Sequence, residues 1–409
     1  MLALSAVMAF SIAGCSSPTT NEVANKLKIG NTTTTSVDNS TSTDSAIDLL
    51  NDDKVKDKAN EINRYIDNYF YFDKDSEKQE ESYYDGIMNG LDDPYSCYYT
   101  KEEYEQLMED DSGKYVGIGA QVTQDADMVI SVVRPITGSP AEKAGIKAED
   151  IIVQVDDLEI TDEDLNFVVD RIRGKEGTTA YIKVFRPSDN KYYEFNIERQ
   201  VVENVSVRFE MLEDKIAYIA IEEFNDLTAD EFKKAVDDAL SQNAKGIVFD
   251  VRDNPGGLVD SVAAICDYIM DEGPIVTIKN RSGKVISEYK SDSKQKVDLP
   301  MTVLVNGNSA SAAEIFTGAL KDTGMAKIVG TNTFGKGIVQ SVFQLSDGSG
   351  IKVTIAKYFT PNGNDIHKKG IAPDYEVELK DGRKNAVNLP HDEDAQLKKA
   401  LKILKKEIK

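Results

Sequence analysis

Short apolar runs of the β type alternate with helical patterns through the second half of the chain, and this alternation limits the folds that it can adopt. Helical spacing of apolar residues follows the run at 216–221, where Thr228 and Glu231 form a capping-box pattern, and also the runs at 246–251 and 301–305. Further strand-like runs lie at 327–329, 338–345 and 351–359. The region from about 215 to 358 is therefore predicted to be an α/β domain.

A serine lies at a strand-to-helix corner of this domain. The run 301–305 ends at a turn pair, and small residues then lead into a helical pattern through the sequence Asn308-Ser309-Ala310-Ser311-Ala312-Ala313-Glu314. Such a corner exposes a side chain, and the first N–H groups of a helix lack intrahelical partners and can hold a developing negative charge. Ser311 is therefore a candidate nucleophile. Ser311 and Glu314 also form the pattern of a capping box, in which the serine only satisfies a helix N-terminus.

A nucleophilic serine needs a base within hydrogen-bond reach, usually a histidine and less often a lysine. The chain contains two histidines. His391 lies in a charged setting typical of a solvated segment, and the basic surroundings of His367 favour a surface loop. Lys336 is the other candidate, because its glycine neighbours allow the backbone to approach another segment closely. At this point a Ser-His-Asp triad, a Ser-Lys pair and an exposed turn lysine all remain open.

The residues before Lys336 also come close to a phosphate-binding P-loop. The residue after the lysine is Gly337, however, and not the serine or threonine that would bind magnesium. The residues that follow are β-like, so no helix N-terminus would face a phosphate. An NTPase is therefore not favoured.

A separate region from about 112 to 199 contains several short strand-like runs and two short helical ones. Its segments 115–120, 139–146 and 174–177 resemble the PDZ domain of bacterial proteases. This resemblance implies that a glycine-containing loop binds the terminal carboxylate of a peptide, here Tyr115-Val116-Gly117-Ile118-Gly119, while the neighbouring strand edge pairs with the peptide. The alternative is an ordinary small β-rich domain with glycine turns.

Four motifs together resemble the carboxyl-terminal processing peptidases, and the resemblance extends from about residue 50 to 380. They are the segments 308–314, 334–340, 250–257 and 358–363. The resemblance implies a Ser-Lys peptidase of the S41 type that needs no cofactor or metal ion. It makes Ser311 the nucleophile, Lys336 the general base and Gln340 the group that orients the lysine. It also implies an oxyanion hole made by backbone N–H groups, those of Ala312 and of Gly256 or Gly257.

The chemistry of these residue types agrees with such roles. A lysine acts as a base only when it is neutral, and burial of an ammonium group favours the neutral form. Gln340, four residues after Lys336, can accept a hydrogen bond from the amine without adding a negative charge. A carboxylate at this position would favour the charged form of the lysine instead.

The fold class predicted for the whole chain is multidomain α+β. Apolar residues at helical spacing in 55–72 and 80–91 indicate a small helical region before the PDZ domain. The resemblance implies a protease core of the βα type seen in crotonase and ClpP, with a mixed sheet. The predicted boundaries are 1–15 for a signal, 16–47 for a flexible linker, 48–111 for the helical region, 112–200 for the PDZ domain, 201–381 for the core and 382–409 for a helical tail.

The first residues resemble a bacterial lipoprotein signal. An apolar stretch leads into Ile12-Ala13-Gly14-Cys15-Ser16-Ser17, which resembles a lipobox and would make Cys15 the lipid-modified residue. No lysine or arginine precedes the apolar stretch, which departs from the usual secretory pattern. The Thr-, Ser- and Asn-rich residues after it suit a tether. We therefore expect an extracytoplasmic protein anchored to the bacterial membrane.

The net charge and the C-terminal segment limit the kinds of partner that the chain can be expected to bind. A net charge of −23 argues against nucleic acid. The resemblance implies protein or peptide substrates with free C-termini and a homodimer that forms through the terminal helices. The apolar face of 396–409, around Leu401, is expected to pack on its own domain or a second subunit rather than on a membrane. The competing functions are a non-catalytic PDZ adaptor tethered to the membrane and an acyl-transforming enzyme on a related scaffold.

Overall fold

The computed structural model describes residues 51–125, 127–292, 294, 297–380, 385–386 and 389–408. The predicted signal, Cys15 and the whole of the predicted linker lie outside these residues. The described chain forms two compact units, one of residues 105–339 and 355–408, the other of residues 51–104 and 340–354. No helix among the described residues combines the length and apolar character that crossing a membrane requires.

The smaller unit contains the predicted N-terminal helices. Its elements before residue 100 are α1 (Asp53–Tyr69), α2 (Ser76–Asn89) and β1 (Cys97–Tyr99), and β1 pairs antiparallel with residues 350–352. Asp52 and Asp75 cap the two helices, since each carboxylate accepts a hydrogen bond from a backbone N–H of the first turn. None of the residues of α1 is buried, and its apolar face, with Ile62, Tyr65 and Tyr69, is exposed.

After α3 (Lys101–Ser112), the larger unit opens with the region that resembles a PDZ domain. Its elements are β2 (Lys114–Gly117), β3 (Ala120–Gln124), β4 (Ile130–Pro135), α4 (Pro140–Ala144), β5 (Ile151–Val155), β6 (Leu158–Glu159), α5 (Leu165–Ile172), β7 (Thr179–Arg186), β8 (Lys191–Glu198) and β9 (Gln200–Glu203). Six of these strands form a sheet in which five follow the order β3-β4-β5-β7-β8 and β6 pairs with β5, so β3 lies at an edge. Strands β2 and β9 pair antiparallel, which brings the two ends of this region side by side, as in an inserted domain.

This region has its own core. Alternate residues of β7, Ala180, Ile182 and Val184, are fully buried and pack with Val168 of α5. A buried ion pair fastens the end of β7, because Arg186 donates from Nε and Nη2 to the two oxygens of Asp150, each at 2.7 Å. The strand-like runs and helical runs predicted from the sequence match these elements closely.

The rest of the larger unit is the predicted α/β domain. The elements from here to the end of the chain are β10 (Val207–Met211), β11 (Ile216–Ile221), α6 (Thr228–Ser241), β12 (Gly246–Asp250), α7 (Val259–Ile269), β13 (Gly273–Asn280), β14 (Val285–Ser291), β15 (Met301–Val305), α8 (Ala312–Asp322), β16 (Ala326–Gly330), β17 (Ile338–Gln344), β18 (Gly350–Phe359), β19 (Tyr375–Glu376) and α9 (Ala395–Glu407). The main sheet has the order β10-β11-β12-β15-β16-β19. It is mixed, since β10 is antiparallel to β11 while the others run parallel.

Both faces of this sheet are covered, which explains why its strands are apolar throughout. On one face α6, α7 and α8 pack against alternate strand residues, and the rings of Phe232, Phe249 and Phe316 form a cluster with centroids 5.4 to 6.3 Å apart. The remaining strand residues contact α9 on the other face, where Leu397 and Leu404 are buried. The predicted tail helix therefore packs on its own domain, and Leu401 is only half-buried there.

Two features of this domain differ from the sequence analysis. The antiparallel pair β13 and β14 was not predicted, and residues 356–359 of β18 also pair with β13. The capping box at Thr228 is wrong. Glu231 Oε2 instead accepts hydrogen bonds from the backbone of Ser206 and Val207, while Asn225 Oδ1 accepts from the N–H of Thr228. The Glu231 carboxylate thus binds the backbone at the start of β10 instead of the N-terminus of its own helix.

Candidate active site

The candidate nucleophile lies where β15 ends and α8 begins. Because β12 and β15 are parallel neighbours, the loops after them meet at the same edge of the sheet. Ser311 has φ +53° and ψ −113°, a backbone conformation that costs about 1–3 kcal/mol for a residue other than glycine. The buried hydroxyl of Tyr358 donates to the Ser311 carbonyl at 3.0 Å and helps to hold this corner. The serine is thus held in a strained turn at the start of a buried helix.

Glu314 joins this corner to the segment that carries Lys336. Its Oε2 accepts from the backbone N–H of Ser311 at 3.0 Å, the carboxylate half of the predicted capping box, and from the N–H of Lys336 at 2.8 Å. Its Oε1 accepts from Thr333 Oγ1 at 2.5 Å and from the N–H of Gly335 at 2.8 Å. The backbones of Ser311 and Lys336 therefore share one carboxylate oxygen. Burial raises the pKa of Glu314, and these hydrogen bonds offset part of the rise.

The segment around Lys336 is packed against backbone, as its glycines predicted. A Cβ on Gly335 would lie 2.8 Å from the N of Gly370, and one on Gly337 would lie 2.7 Å from the N of His367. Side chains larger than hydrogen do not fit at either position. Lys336 is 3 % exposed, so the exposed turn lysine considered above does not occur.

Asn254 organises the glycine loop beside the serine. Its side chain accepts from the N–H of Gly256 at 2.8 Å and donates to the carbonyl of Ile221 at 2.8 Å, while its own carbonyl accepts from the N–H of Ala310 at 3.0 Å. A Cβ on Gly256 would lie 2.7 Å from Ser311 Cβ, so this loop touches the corner directly. Sequence reasoning missed this role, although asparagine two residues before a glycine is a known turn signal.

The hydrogen bonds of the backbone distinguish the two glycines that were predicted as oxyanion donors. The N–H of Gly256 is used by Asn254, which argues against Gly256 as a donor in this conformation. The N–H groups of Gly257 and Ala312 donate to no residue that the structure describes. Gly257 has φ +136°, and its Cβ would lie 2.1 Å from the carbonyl oxygen of Phe224, so only glycine fits there. Gly257 and Ala312 are therefore the candidates for the two N–H groups that an oxyanion hole requires.

The third residue of the predicted catalytic group belongs to the smaller unit. Gln340 lies in β17 and is buried, and its Nε2 donates to Thr354 Oγ1 at 3.3 Å. Its Oε1 has no hydrogen-bond partner among the residues described. A buried amide oxygen without a partner is costly, and such groups often serve a function. The orienting role of Gln340 stays a prediction.

The two histidines lie in different places. The backbone N–H of His367 donates to Asp365 Oδ1 at 2.9 Å, and its backbone lies against Gly337 of the lysine segment. His367 is half-buried in a turn that continues into the exposed Lys368 and Lys369, which agrees with the loop expected from the sequence. His391 lies against the ring of Tyr218, with centroids 5.0 Å apart. Within the described ranges, no group of three or more His, Cys, Asp or Glu residues could hold a metal ion.

The predicted peptide-binding loop is divided between a strand and a short turn. Tyr115, Val116 and Gly117 lie in β2 and pair with β9, whereas Ile118 and Gly119 form the turn that leads into β3. The side chain of Ile118 is buried, and the N–H groups of Ile118 and Gly119 donate to no residue in the part of the chain that the structure describes. Gln124 at the far end of β3 bonds to the backbone at the start of α5. Within the described residues, available donors therefore lie at one end of an edge strand whose other end contacts the start of α5.

Comparison with known proteins gives two family matches. Residues 215–377 match the model of peptidase family S41, and residues 131–186 match a PDZ domain model. A CtpA-like serine protease of Staphylococcus haemolyticus is 39 % identical over 332 residues, which are 79 % of this chain and 66 % of the relative. One of Staphylococcus epidermidis is 41 % identical over 311 residues, 75 % and 62 % of the two chains. The chain thus spans somewhat under two thirds of the length of these relatives.

Solved structures are also similar. An S41 protease from Bacteroides fragilis has a TM-score of 0.53 and 18 % identity, and the match covers 78 % of this chain and 88 % of that one. This match supports the fold. The photosystem II D1 C-terminal processing protease has a TM-score of 0.47 and 30 % identity, with 78 % and 84 % of the two chains covered.

Proposed function

The chain belongs to peptidase family S41 and carries a PDZ domain, and from this premise we propose that it is a serine endopeptidase with a Ser-Lys pair. The observation that carries the proposal is the Glu314 carboxylate, which holds the backbones of Ser311 and Lys336 together. The N–H groups of Ala312 and Gly257 lie beside the same corner. Acyl transfer needs a nucleophile, a base and oxyanion donors, and these are the roles that we propose for the four residues.

The proposed reaction proceeds in two stages. In the first, Ser311 Oγ attacks the carbonyl carbon of the scissile bond while the neutral amine of Lys336 takes the hydroxyl proton. The N–H groups of Ala312 and Gly257 bind the oxyanion, and the C–N bond then breaks as Lys336 returns the proton to the leaving amine. In the second stage, Lys336 takes a proton from water as the water oxygen attacks the acyl ester. Lys336 then returns this proton to Ser311 Oγ as the ester C–O bond breaks and the new C-terminus is released. Gln340 would orient the amine without charging it.

A probe for activated serines tests this proposal directly. We expect a fluorophosphonate to label the full chain at Ser311, as located by mass spectrometry of the digested protein. Ser311→Ala should abolish the label, and Ser241→Ala, which removes an exposed hydroxyl elsewhere, should retain it. A wild-type protein that stays unlabelled under conditions where a known serine protease reacts would favour the PDZ adaptor instead.

We infer further that the PDZ domain selects substrates by their free C-termini. Three observations support this: the open edge of β3, the available N–H groups of Ile118 and Gly119, and the location of this turn at the start of that edge. Main-chain pairing along β3 would supply affinity, and a terminal carboxylate would accept hydrogen bonds from the turn. Hydrogen bonds to a charged group contribute about 1.5–3 kcal/mol each.

Two peptides that share one cleavage sequence, one ending in a free carboxylate and the other in an amide, should therefore differ in KM. We expect the free acid to have a KM lower by about 10-fold, because the amide cannot accept charge-assisted hydrogen bonds at the turn. Removing residues 118–199 with a short linker between Gly117 and Gln200, which are partners in β2 and β9, should erase the difference. Equal KM values for the two peptides with the wild-type enzyme would sink the inference.

Localisation and assembly are proposed from the sequence pattern. We propose that Cys15 is lipid-modified and anchors an exported protein to the membrane, which metabolic labelling with palmitate would check, with Cys15→Ala as the control.

A homodimer stays a prediction. The exposed apolar face of α1, with Ile62, Tyr65 and Tyr69, offers it a surface, whereas the face of α9 is already used within its own domain. Sedimentation equilibrium of the full chain would decide it.

A further inference from the structure

The start of the C-terminal helix lies against the base of the glycine loop. Asp394, the N-cap of α9, places its Oδ2 2.7 Å from Arg252 Nη2, and Gln396 Oε1 accepts from Arg252 Nη1 at 2.8 Å. Arg252 also pairs with Asp250, whose Oδ2 lies 2.6 Å from Nη2. All these side chains are buried. Arg252 and Gln396, 144 positions apart in sequence, thus meet at the point where β12 ends.

Arg252 is where the loop that presents Gly257 begins. Its backbone N–H donates to Asp250 Oδ1 at 2.9 Å, and its guanidinium is held between two carboxylates. Burial alone would raise the pKa of Asp250, but Arg252 and the Tyr218 hydroxyl hold it below its usual value. The arginine therefore has little freedom, and its position depends on Asp394 as well as on Asp250.

A second contact connects the same two regions. Asp253, the next residue of the loop, accepts from the N–H of Ala386 at 2.7 Å through Oδ2. Its Oδ1 accepts from the side chains of Asn306 and Asn308, each at 2.8 Å, in the turn before Ser311. The C-terminal segment, the glycine loop and the turn that carries the nucleophile are thus joined by Arg252 and Asp253.

The Asp394 carboxylate has two separable tasks. Its Oδ1 caps α9, accepting from the N–H groups of Gln396 and Leu397 at 2.9 Å each, while its Oδ2 pairs with Arg252. The docking of α9 itself rests on apolar contacts of Leu397, Ala400 and Leu404. An asparagine at 394 can keep the cap and the apolar contacts while it removes the charge that faces Arg252.

We propose that the C-terminal helix positions the oxyanion-binding loop of the enzyme and that Asp394 is the positioning residue through which it acts. This inference rests on the proposed peptidase function. Without the Asp394 charge the buried Arg252 shifts towards Asp250, and the loop shifts with it. The Gly257 N–H then no longer points at the place where the oxyanion forms, and small displacements of this kind affect the transition state more than substrate binding.

The test compares Asp394→Asn with Asp392→Asn, the same change at an exposed residue of the same segment. For Asp394→Asn we expect kcat and the rate of fluorophosphonate labelling to fall by about 10- to 100-fold, with KM within about twofold of wild type. Peptide affinity, measured in the Ser311→Ala background, should not change. Asp392→Asn should behave as wild type, and unfolding temperatures would show whether Asp394→Asn is fully folded.

Several outcomes would overturn the inference. If fluorophosphonate labels the wild type and Asp394→Asn has the kcat of the wild type, Asp394 has no positioning role, while the proposed peptidase function stands. A loss of activity that only matches the unfolded fraction also removes it. A wild type that is not labelled removes both proposals. If Asp394→Asn does not fold, Asp253→Asn, which disturbs the second contact, should show the same fall in kcat at unchanged KM, and wild-type kcat there contradicts the proposal.

Discussion

Replacing Lys336 with alanine is expected to lower kcat for peptide hydrolysis by about 10²–10⁴-fold while the protein stays folded. The reason is that Ser311 would keep its position, which Glu314 and Tyr358 fix through the backbone, but would lose the group that takes its proton. Ser311→Ala should abolish turnover altogether, because no covalent intermediate can form. Both variants are measured with one peptide substrate under steady-state conditions.

Controls can separate a lost base from a disturbed fold. Lys284→Ala removes an exposed lysine of the same domain and should leave kcat unchanged. Small primary amines added to Lys336→Ala should restore part of the activity, because they can occupy the space of the buried side chain and act as the base. Near-wild-type activity of Lys336→Ala without added amine would refute the Ser-Lys assignment, and His367 would then be the next base to test.

Glu314→Gln is expected to reduce kcat by at least about 10²-fold and to destabilise the protein as well. An amide keeps one acceptor oxygen, but its NH₂ group would face two donors, either the N–H groups of Ser311 and Lys336 or the donors at Thr333 and Gly335. Each buried N–H left without an acceptor costs about 1–3 kcal/mol. The corner and the lysine segment would then separate. Kinetics and urea unfolding measure the two effects.

The two effects of Glu314→Gln are informative only in combination. Glu272→Gln, at an exposed position, should change neither kcat nor the free energy of unfolding. If Glu314 served as a helix cap alone, stability would fall while kcat of the folded enzyme stayed the same. That result would contradict the joining role assigned to this carboxylate.

Much of the fold could be predicted from sequence because its elements have strong local patterns. Strands such as β11 and β15 are short apolar runs, and Thr179–Arg186 alternates buried and partly exposed residues with a period of two. The antiparallel pair β13 and β14 was missed, since most of β14 is polar or exposed and its pattern resembles a loop. The capping box at Thr228 failed because Glu231 found a better partner in β10, which no local pattern reveals.

The sequence alone determined which residue types are present and in what order: a serine at a strand-to-helix corner, a lysine between glycines and a glycine pair after a buried strand. These signals are local, because propensity, turn chemistry and periodicity act over a few residues. Tertiary structure alone decided which groups meet. It assigned the Gly256 N–H to Asn254 and left that of Gly257 available, brought Ser311 and Lys336 to one carboxylate, and placed Asp394 against Arg252. Contacts between residues far apart in sequence form when packing brings buried charges and hydrogen-bond donors next to suitable partners. The pattern of a single segment cannot predict which partners these will be.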